Sequence, residues 1–236
     1  MAMQLSRRLQ AIADMVTEGG VLADVGCDHG YLPVYLILNK KIPRAIAMDV
    51  GKGPLSRAKE HIQAYGLEQY IETRLSDGLD GLAPKEADTL VIAGMGGPLM
   101  EQILTRGARV TAGFREMILQ PQSDIGHFRH FIRESGWEIV REEMILEEGK
   151  FYPMMKVEPV SDSLSFWEPE EEMFGKLLLD ACHPVLREYL KREERIRREI
   201  LEALSETDTE GAMKRREEIN REMQLISAAK KRYESI

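Results

Sequence analysis

The first stretch of this chain able to do chemistry is Asp24-Val25-Gly26-Cys27-Asp28-His29-Gly30-Tyr31-Leu32-Pro33. Val21-Leu22-Ala23 ahead of it reads as buried strand, and Val34-Tyr35-Leu36-Ile37-Leu38 behind it as helix. Strand, glycine turn and helix together cradle a nucleotide-type cofactor. A dinucleotide fingerprint needs a middle glycine so that backbone can approach a pyrophosphate. Here Asp28 holds that place between Gly26 and Gly30. A carboxylate there repels pyrophosphate and suits a cationic ligand without phosphate. S-adenosylmethionine, with its sulfonium and ammonium charges, is such a ligand. Asp24 then holds the turn and meets the ammonium. Gly26, Cys27, Asp28, His29 and Gly30 line the loop, although His29 also reads as a packed loop histidine.

Further candidates stand at the ends of later apolar runs. Asp49 closes the second, where a carboxylate accepts both ribose hydroxyls of a nucleoside cofactor. This feature suits NAD as well. Asp77-Gly78 ends the third run, placing a carboxylate for the exocyclic amine of adenine or making a simple turn. Ala93-Gly94-Met95-Gly96-Gly97-Pro98 ends the fourth. Its glycines allow close backbone approach, by cofactor at Ala93, Gly94 and Met95 and by substrate at Gly96 and Gly97. Gln120-Pro121-Gln122 ends the fifth and offers amides that can read base edges. Arg7, Arg8, Arg129 and Arg133 are candidate phosphate contacts. No His/Cys metal set, Ser-His-Asp arrangement or P-loop is visible.

The chain of 236 residues carries a net charge of −8, a weak argument against a polyanionic partner. That charge is uneven. Acids far outnumber bases over residues 138–172, whereas the stretch from Arg187 onward is nearly balanced. Local patches govern steering, so RNA stays open. Two cysteines, Cys27 and Cys182, imply no disulfide framework and suit a reduced, cytoplasmic compartment. Met1–Arg8 reads as the start of an amphipathic helix rather than a signal peptide, and no apolar run reaches membrane-spanning length.

These residues need a scaffold that brings strand ends together. Strands are expected at Val21–Gly26, Ala45–Val50, Ile71–Asp77, Thr89–Gly94 and Met117–Gln120. Helices are expected at Tyr31–Asn39, Pro54–Tyr65, Pro98–Thr105 and Ile125–Ser135. Such alternation makes a parallel sheet with right-handed crossovers. Trp137–Glu147 and Phe151–Val160, joined across Glu148-Gly149-Lys150, then predict an antiparallel hairpin. The expected fold class is α/β, a parallel sheet with a terminal antiparallel hairpin, and by analogy this resembles the Rossmann-like class I methyltransferase sheet. NAD-binding domains continue with a parallel strand instead. Ser161–Ser165 reads as a linker between a catalytic domain, 1–160, and a helical, coiled-coil-like domain, 161–236. Pro169 suits a first helical position. Pro184 breaks the helix after His183. Leu186, Leu190, Ile196, Ile200 and Leu204 form one apolar stripe, and Ile219, Met223, Ile226 and Tyr233 another. With a turn at Asp208–Gly211, they predict an antiparallel helical hairpin.

Taken together, these strings resemble the bacterial tRNA (adenine(22)-N1)-methyltransferase family (TrmK-type). The resemblance rests on Leu5-Ser6-Arg7-Arg8-Leu9, Ala23 through Pro33, Asp77-Gly78-Leu79, Ile92 through Gly97, Leu119-Gln120-Pro121 and Leu146-Glu147-Glu148-Gly149-Lys150. Gly30 replaces an alanine of the family pattern, and Gln122 stands where some members carry Asn. The resemblance implies an S-adenosylmethionine-dependent methyltransferase acting on adenine N1 at position 22 of tRNA, ending in a helical domain. Adenine N1 attacks through an in-plane lone pair, so no proton need be removed first. The enzyme exposes the base, aligns N1 and favours the cation that forms. Asp28 is the candidate carboxylate for that last task. The chain is expected to be a monomer without metal. Alternatives are a methyltransferase acting on another RNA or a small molecule, an NAD-binding oxidoreductase, and a non-enzymatic interaction protein.

Overall fold

The computed structural model describes residues 3–161, 166–205 and 209–234, which group into two compact units, Met1–Leu164 and Ser165–Ile236. In the first unit, α1 (Arg7–Met15) precedes β1 (Leu22–Val25), a 3-10 turn at Asp28–Gly30, α2 (Tyr31–Leu38), β2 (Ala45–Asp49), α3 (Lys52–Ala64) and β3 (Ile71–Leu75). There follow β4 (Thr89–Met95), α4 (Gly97–Arg106), α5 (Ala108–Thr111), β5 (Glu116–Pro121), α6 (Ile125–Glu134), β6 (Trp137–Glu147) and β7 (Lys150–Pro159). The strands form one sheet in the order β3-β2-β1-β4-β5-β7-β6. All pairings are parallel except those made by β7, which runs antiparallel to both β5 and β6. This is the expected class I methyltransferase sheet.

The order follows from burial. Strands β1 and β5 are buried along their whole length, as interior strands covered on both faces are. β3 at the edge carries Glu72 and Arg74 outward, and charge there blunts edge pairing. The β6–β7 turn is made by Glu148 at φ 50° and Gly149 at φ 75°. Two left-handed residues in succession match the twist of a tight hairpin.

Helix α1 begins later than the sequence suggested. Ser6 Oγ accepts the Leu9 N–H as the N-cap, and residues 3–6 are not helical. The short α5 has no counterpart among the expected elements. At the amino-terminal side of the sheet, Glu116 is held by a buried polar set. It accepts from Thr17 N (2.8 Å), Thr89 Oγ1 (3.0 Å) and Lys156 Nζ (2.6 Å). Burial raises the Glu116 pKa, but the Lys156 and Thr17 bonds outweigh it and hold the carboxyl below its ordinary range.

The second unit contains α7 (Pro169–Phe174), α8 (Lys176–Asp180), α9 (Pro184–Leu204) and α10 (Glu210–Lys231). Pro169 and Pro184 each sit in the first turn of their helices. The long pair α9 and α10 runs antiparallel, with Glu194 paired to Lys230 and Arg197 to Glu222. Leu186, Leu190, Ile219 and Ile226 are buried, whereas Ile196, Ile200, Leu204, Met223 and Tyr233 are half-buried. The expected turn is displaced: Thr209 caps α10, and Gly211 lies in its first turn. Asp208 and most of the expected linker, residues 162–165, lie outside the described residues.

Candidate active site

The parallel register brings Val25, Asp49, Met95 and Pro121 to the carboxyl edge of the sheet, where α/β folds bind ligands. The turn after β1 is stitched to β2. Gly26 N and Cys27 N both donate to Met48 O, at 2.8 and 3.1 Å. Gly26 has φ 79°, and a Cβ there would lie 2.5 Å from Met95 Cε. The left-handed φ favours glycine, and Met95 of β4 closes over the β1 turn. His29 at φ 63° and Gly30 at φ 62° continue the turn in left-handed conformations. For a histidine that conformation costs roughly 1–2 kcal/mol, so neighbouring contacts must hold it. Gly30 is buried with its Cα side against Ala58 of α3.

Two carboxylates face each other's field at this edge. Asp24 is buried, at 7 % exposure. Burial first, then the Asp49 charge, pushes its pKa up to about 7. Asp49 Oδ1 accepts the Gly51 N–H at 2.7 Å and so anchors the start of α3. Such a pair is short of positive charge. A ligand bearing a sulfonium or ammonium supplies what the desolvated carboxyl lacks, so these residues fit S-adenosylmethionine. The Cys27 thiol is buried. Desolvation and then the Asp24 and Asp49 charges push its pKa up, so it lines the turn as a neutral group rather than a nucleophile.

Asp28 is exposed, and its Oδ1 accepts from Arg57 Nη2 of α3 at 2.7 Å. His29 Nε2 lies 3.7 Å from the same oxygen. Asp77 is exposed and bonded to Arg106 Nη1 at 2.9 Å, so an adenine amine would have to compete with that guanidinium. Gly78, at φ 59°, packs against Ile103.

On the β4–β5 side, Arg8 enters the cleft. Its Nη1 donates to Gln120 Oε1 at 3.1 Å, and its guanidinium carbon stands 5.5 Å from the centre of the Tyr152 ring. A Cβ at Gly94, beyond Ala93 in β4, would stand 3.5 and 3.6 Å from Arg8 Nη1 and Gln122 Nε2. Gln120 is fully buried and its Nε2 donates to the carbonyl of buried Pro121. Both ends of its amide are therefore used inside the protein, leaving Gln122 as the exposed amide. Gly96 and Gly97 pack closely on the loop after β5. A Cβ at Gly96 would meet Ser123 Oγ at 2.9 Å, and one at Gly97 would meet Ser123 O at 2.7 Å. Their missing side chains admit the loop after β5. Arg129 is corrected outright: it is buried, paired with Glu142 at 2.8 Å, and cannot meet a phosphate.

Sequence reasoning missed Tyr152, Glu147, Arg57 and His61. Glu147 at the tip of β6 accepts the Arg7 and Arg8 N–H groups at 2.7 and 3.4 Å, and Arg7 Nη1 donates to Leu146 O. Its charge suits the positive end of α1 and fixes where Arg8 points. The only sequence signal was that the Arg7-Arg8 and Leu146–Lys150 strings occur in one chain.

A family model described as "Methyltransferase domain" matches residues 5–155. The solved Bacillus subtilis m1A22 tRNA methyltransferase TrmK is 31% identical, with a TM-score of 0.86 over 96% of this chain and 99% of that one. The chain belongs to the TrmK-type tRNA (adenine(22)-N1)-methyltransferase family. A curated B. subtilis tRNA (adenine(22)-N(1))-methyltransferase is 38% identical over 156 residues, 66% of either chain. Streptococcus pneumoniae Sp1610, described as a tRNA (m1A22) methyltransferase, was solved in complex with S-adenosyl-L-methionine. It is 32% identical, with a TM-score of 0.83 over 96% of this chain and 99% of that one. The TrmK-type strings thus extend across the cleft just described, from Arg8 to the β6–β7 tip.

Proposed function

We propose that this protein transfers a methyl group from S-adenosylmethionine to N1 of adenine 22 in tRNA. The observation that carries the reading is the desolvated Asp24–Asp49 pair beside the glycine turn at the carboxyl edge of the sheet, which favours a cationic ligand where a nucleoside cofactor binds in such folds. When bound, S-adenosylmethionine supplies an electrophilic methyl group. Asp24 and the Gly26–Gly30 turn hold its charged end, Asp49 its ribose, and Asp77 with Gly78 its adenine. Ala93, Gly94 and Met95 bound it from β4. Arg8, Gln122 and Tyr152 form the opposing rim, where an extruded base can stack and be held. N1 attacks without a general base, and Asp28 favours the positive charge that develops on the ring. Its Oδ2 makes no hydrogen bond among the described residues and is open to that role.

The unit of residues 1–160 is the catalytic domain in this reading, and the helical unit from 161 onward contributes to tRNA binding. Arg195, Arg198 and Arg215 there pair with glutamates on their own helices. Exposed pairs of this kind hold together weakly and can be exchanged for phosphate contacts. A cytoplasmic monomer is the expected form, and no described helix is long and apolar enough to cross a membrane. The test is incubation of unmodified tRNA with S-adenosylmethionine, nucleoside mass spectrometry and primer extension. The expected result is 1-methyladenosine with a stop at position 22. Methylation elsewhere, or none, overturns the reading.

A further inference from the structure

Helix α3 presents two polar side chains to the cofactor loop from a single face. Arg57 and His61 are one turn apart, the spacing that places side chains above one another. Arg57 Nη2 donates to Asp28 Oδ1 at 2.7 Å. His61 Nδ1 lies 3.0 Å from the carbonyl oxygen of His29. A carbonyl only accepts, so Nδ1 carries the proton. Between them, Ala58 backs Gly30. The ring of Tyr31 stacks on His29 and meets the His61 edge, and His61 in turn meets Tyr65. The residues so held are consecutive, and His29 is the strained left-handed one. The same helix is tied at its start to Asp49 through the Gly51 N–H. One rigid element thus reaches both the ribose carboxylate and the loop carboxylate.

We infer that Arg57 and His61 are positioning residues for methyl transfer: they clamp the Asp28 carboxylate and the His29 backbone in the geometry the reaction uses. Neither need touch the substrate. Arg57 fixes one oxygen of Asp28 and leaves the other available. His61 holds the His29 peptide against its preference for a right-handed or extended conformation. The inference rests on the methyltransferase reading and deepens it.

Two substitutions at each position test it in the full-length protein, with tRNA and S-adenosylmethionine as probes. Arg57→Ala removes the clamp, and Arg57→Lys keeps a cation. His61→Phe keeps the ring contacts and loses the donor. His61→Asn loses the ring but places an amide N–H near the position of Nδ1. Arg57→Ala and His61→Phe should lower single-turnover rate about ten- to a hundredfold, the scale of misplacing a reacting group. KM for tRNA and the melting temperature should hold. Arg57→Lys and His61→Asn should recover most of the loss. In an Asp28→Asn background, Arg57→Ala should cost nothing further, because its effect passes through Asp28. The same cycle is read on S-adenosylmethionine affinity, which does not require residual turnover. Wild-type rates in both clamp-removing variants, additive effects in both readouts, or a raised KM at unchanged rate overturn the clamp. An inactive wild type would instead retire the methyltransferase reading, so the two failures are distinguishable.

Discussion

Cofactor affinity should titrate with the Asp24 carboxyl. Without ligand, burial and the Asp49 charge lift that group from 3.8 to about 7. A bound ammonium or sulfonium favours the ionised form, so binding must expel a proton wherever Asp24 still holds one. At pH 6 about nine-tenths of the free sites are protonated, and at pH 8 about one-tenth, so affinity should rise roughly tenfold between them, about 1.4 kcal/mol, and then level off. The opposite sign holds for the stability of the ligand-free fold. Between about pH 4 and 7 the folded protein keeps a proton that the unfolded chain has released. Stability from this group is therefore present at low pH and lost as pH rises through 7, by roughly 4 kcal/mol for the full shift. Calorimetry with S-adenosylmethionine in buffers of different ionisation enthalpy counts the proton directly. Asp24→Asn should flatten the pH dependence and weaken binding at pH 8. Asp49→Asn should move the midpoint to lower pH by removing the neighbouring charge. A flat wild-type profile from pH 6 to 8, with no proton released, would refute the assignment of a cation beside Asp24.

Asp49→Ala should weaken S-adenosylmethionine binding at least about tenfold, since hydrogen bonds to a charged group contribute roughly 1.5–3 kcal/mol each; unchanged calorimetric affinity would place the ribose elsewhere. Arg129→Ala removes the guanidinium that pairs with buried Glu142 and should lower unfolding free energy by about 3–5 kcal/mol, whereas the joint replacement Arg129→Met with Glu142→Leu should be near neutral. Urea melts of the three proteins decide this, and a mild loss in the single variant would show that water reaches the pair. Removing residues 165–236 should leave S-adenosylmethionine binding in place while tRNA affinity and its salt slope both fall. Charge reversal at Arg195, Arg198, Arg215 and Arg216 in the full chain should do the same to tRNA. An unchanged salt slope there would move tRNA contact to the Arg8 rim.

The sheet was legible because its signals are local. Short apolar runs such as Val21–Ala23 and Met117–Leu119, set between helical patterns, read as interior strands, and the Glu148-Gly149 step reads as a hairpin turn. The glycine at Gly26 was readable for the same reason: a left-handed turn after a strand leaves little choice. What stayed hidden depends on distant partners. Arg129 looks like any helical arginine until β6 brings Glu142 against it. Nothing in the sequence at Gly96 and Gly97 shows that Ser123 fills the space beside them. Tyr152 and Arg8 are joined only by the fold, as are His61 and His29. Even Asp28, found by its spacing, gave no hint that its charge is shared with Arg57. Helix ends were the other weak point, because Ser6 and Thr209 cap the chain where composition alone runs smoothly on.

The grip of Glu147 on the first turn of α1 spans a sequence separation of 140 residues. During synthesis the chain emerges amino-terminus first, so Arg7 and Arg8 leave the ribosome long before the hairpin tip that anchors them. Strands β1 to β5 can assemble as they appear, since each mostly pairs with a neighbour already made or soon to follow. The first helix must instead wait for the last two strands. The rim of the cleft is therefore completed at the close of folding, when the two ends of the catalytic unit meet. A nascent chain stopped before residue 147 can hold most of its sheet and still lack a placed Arg8.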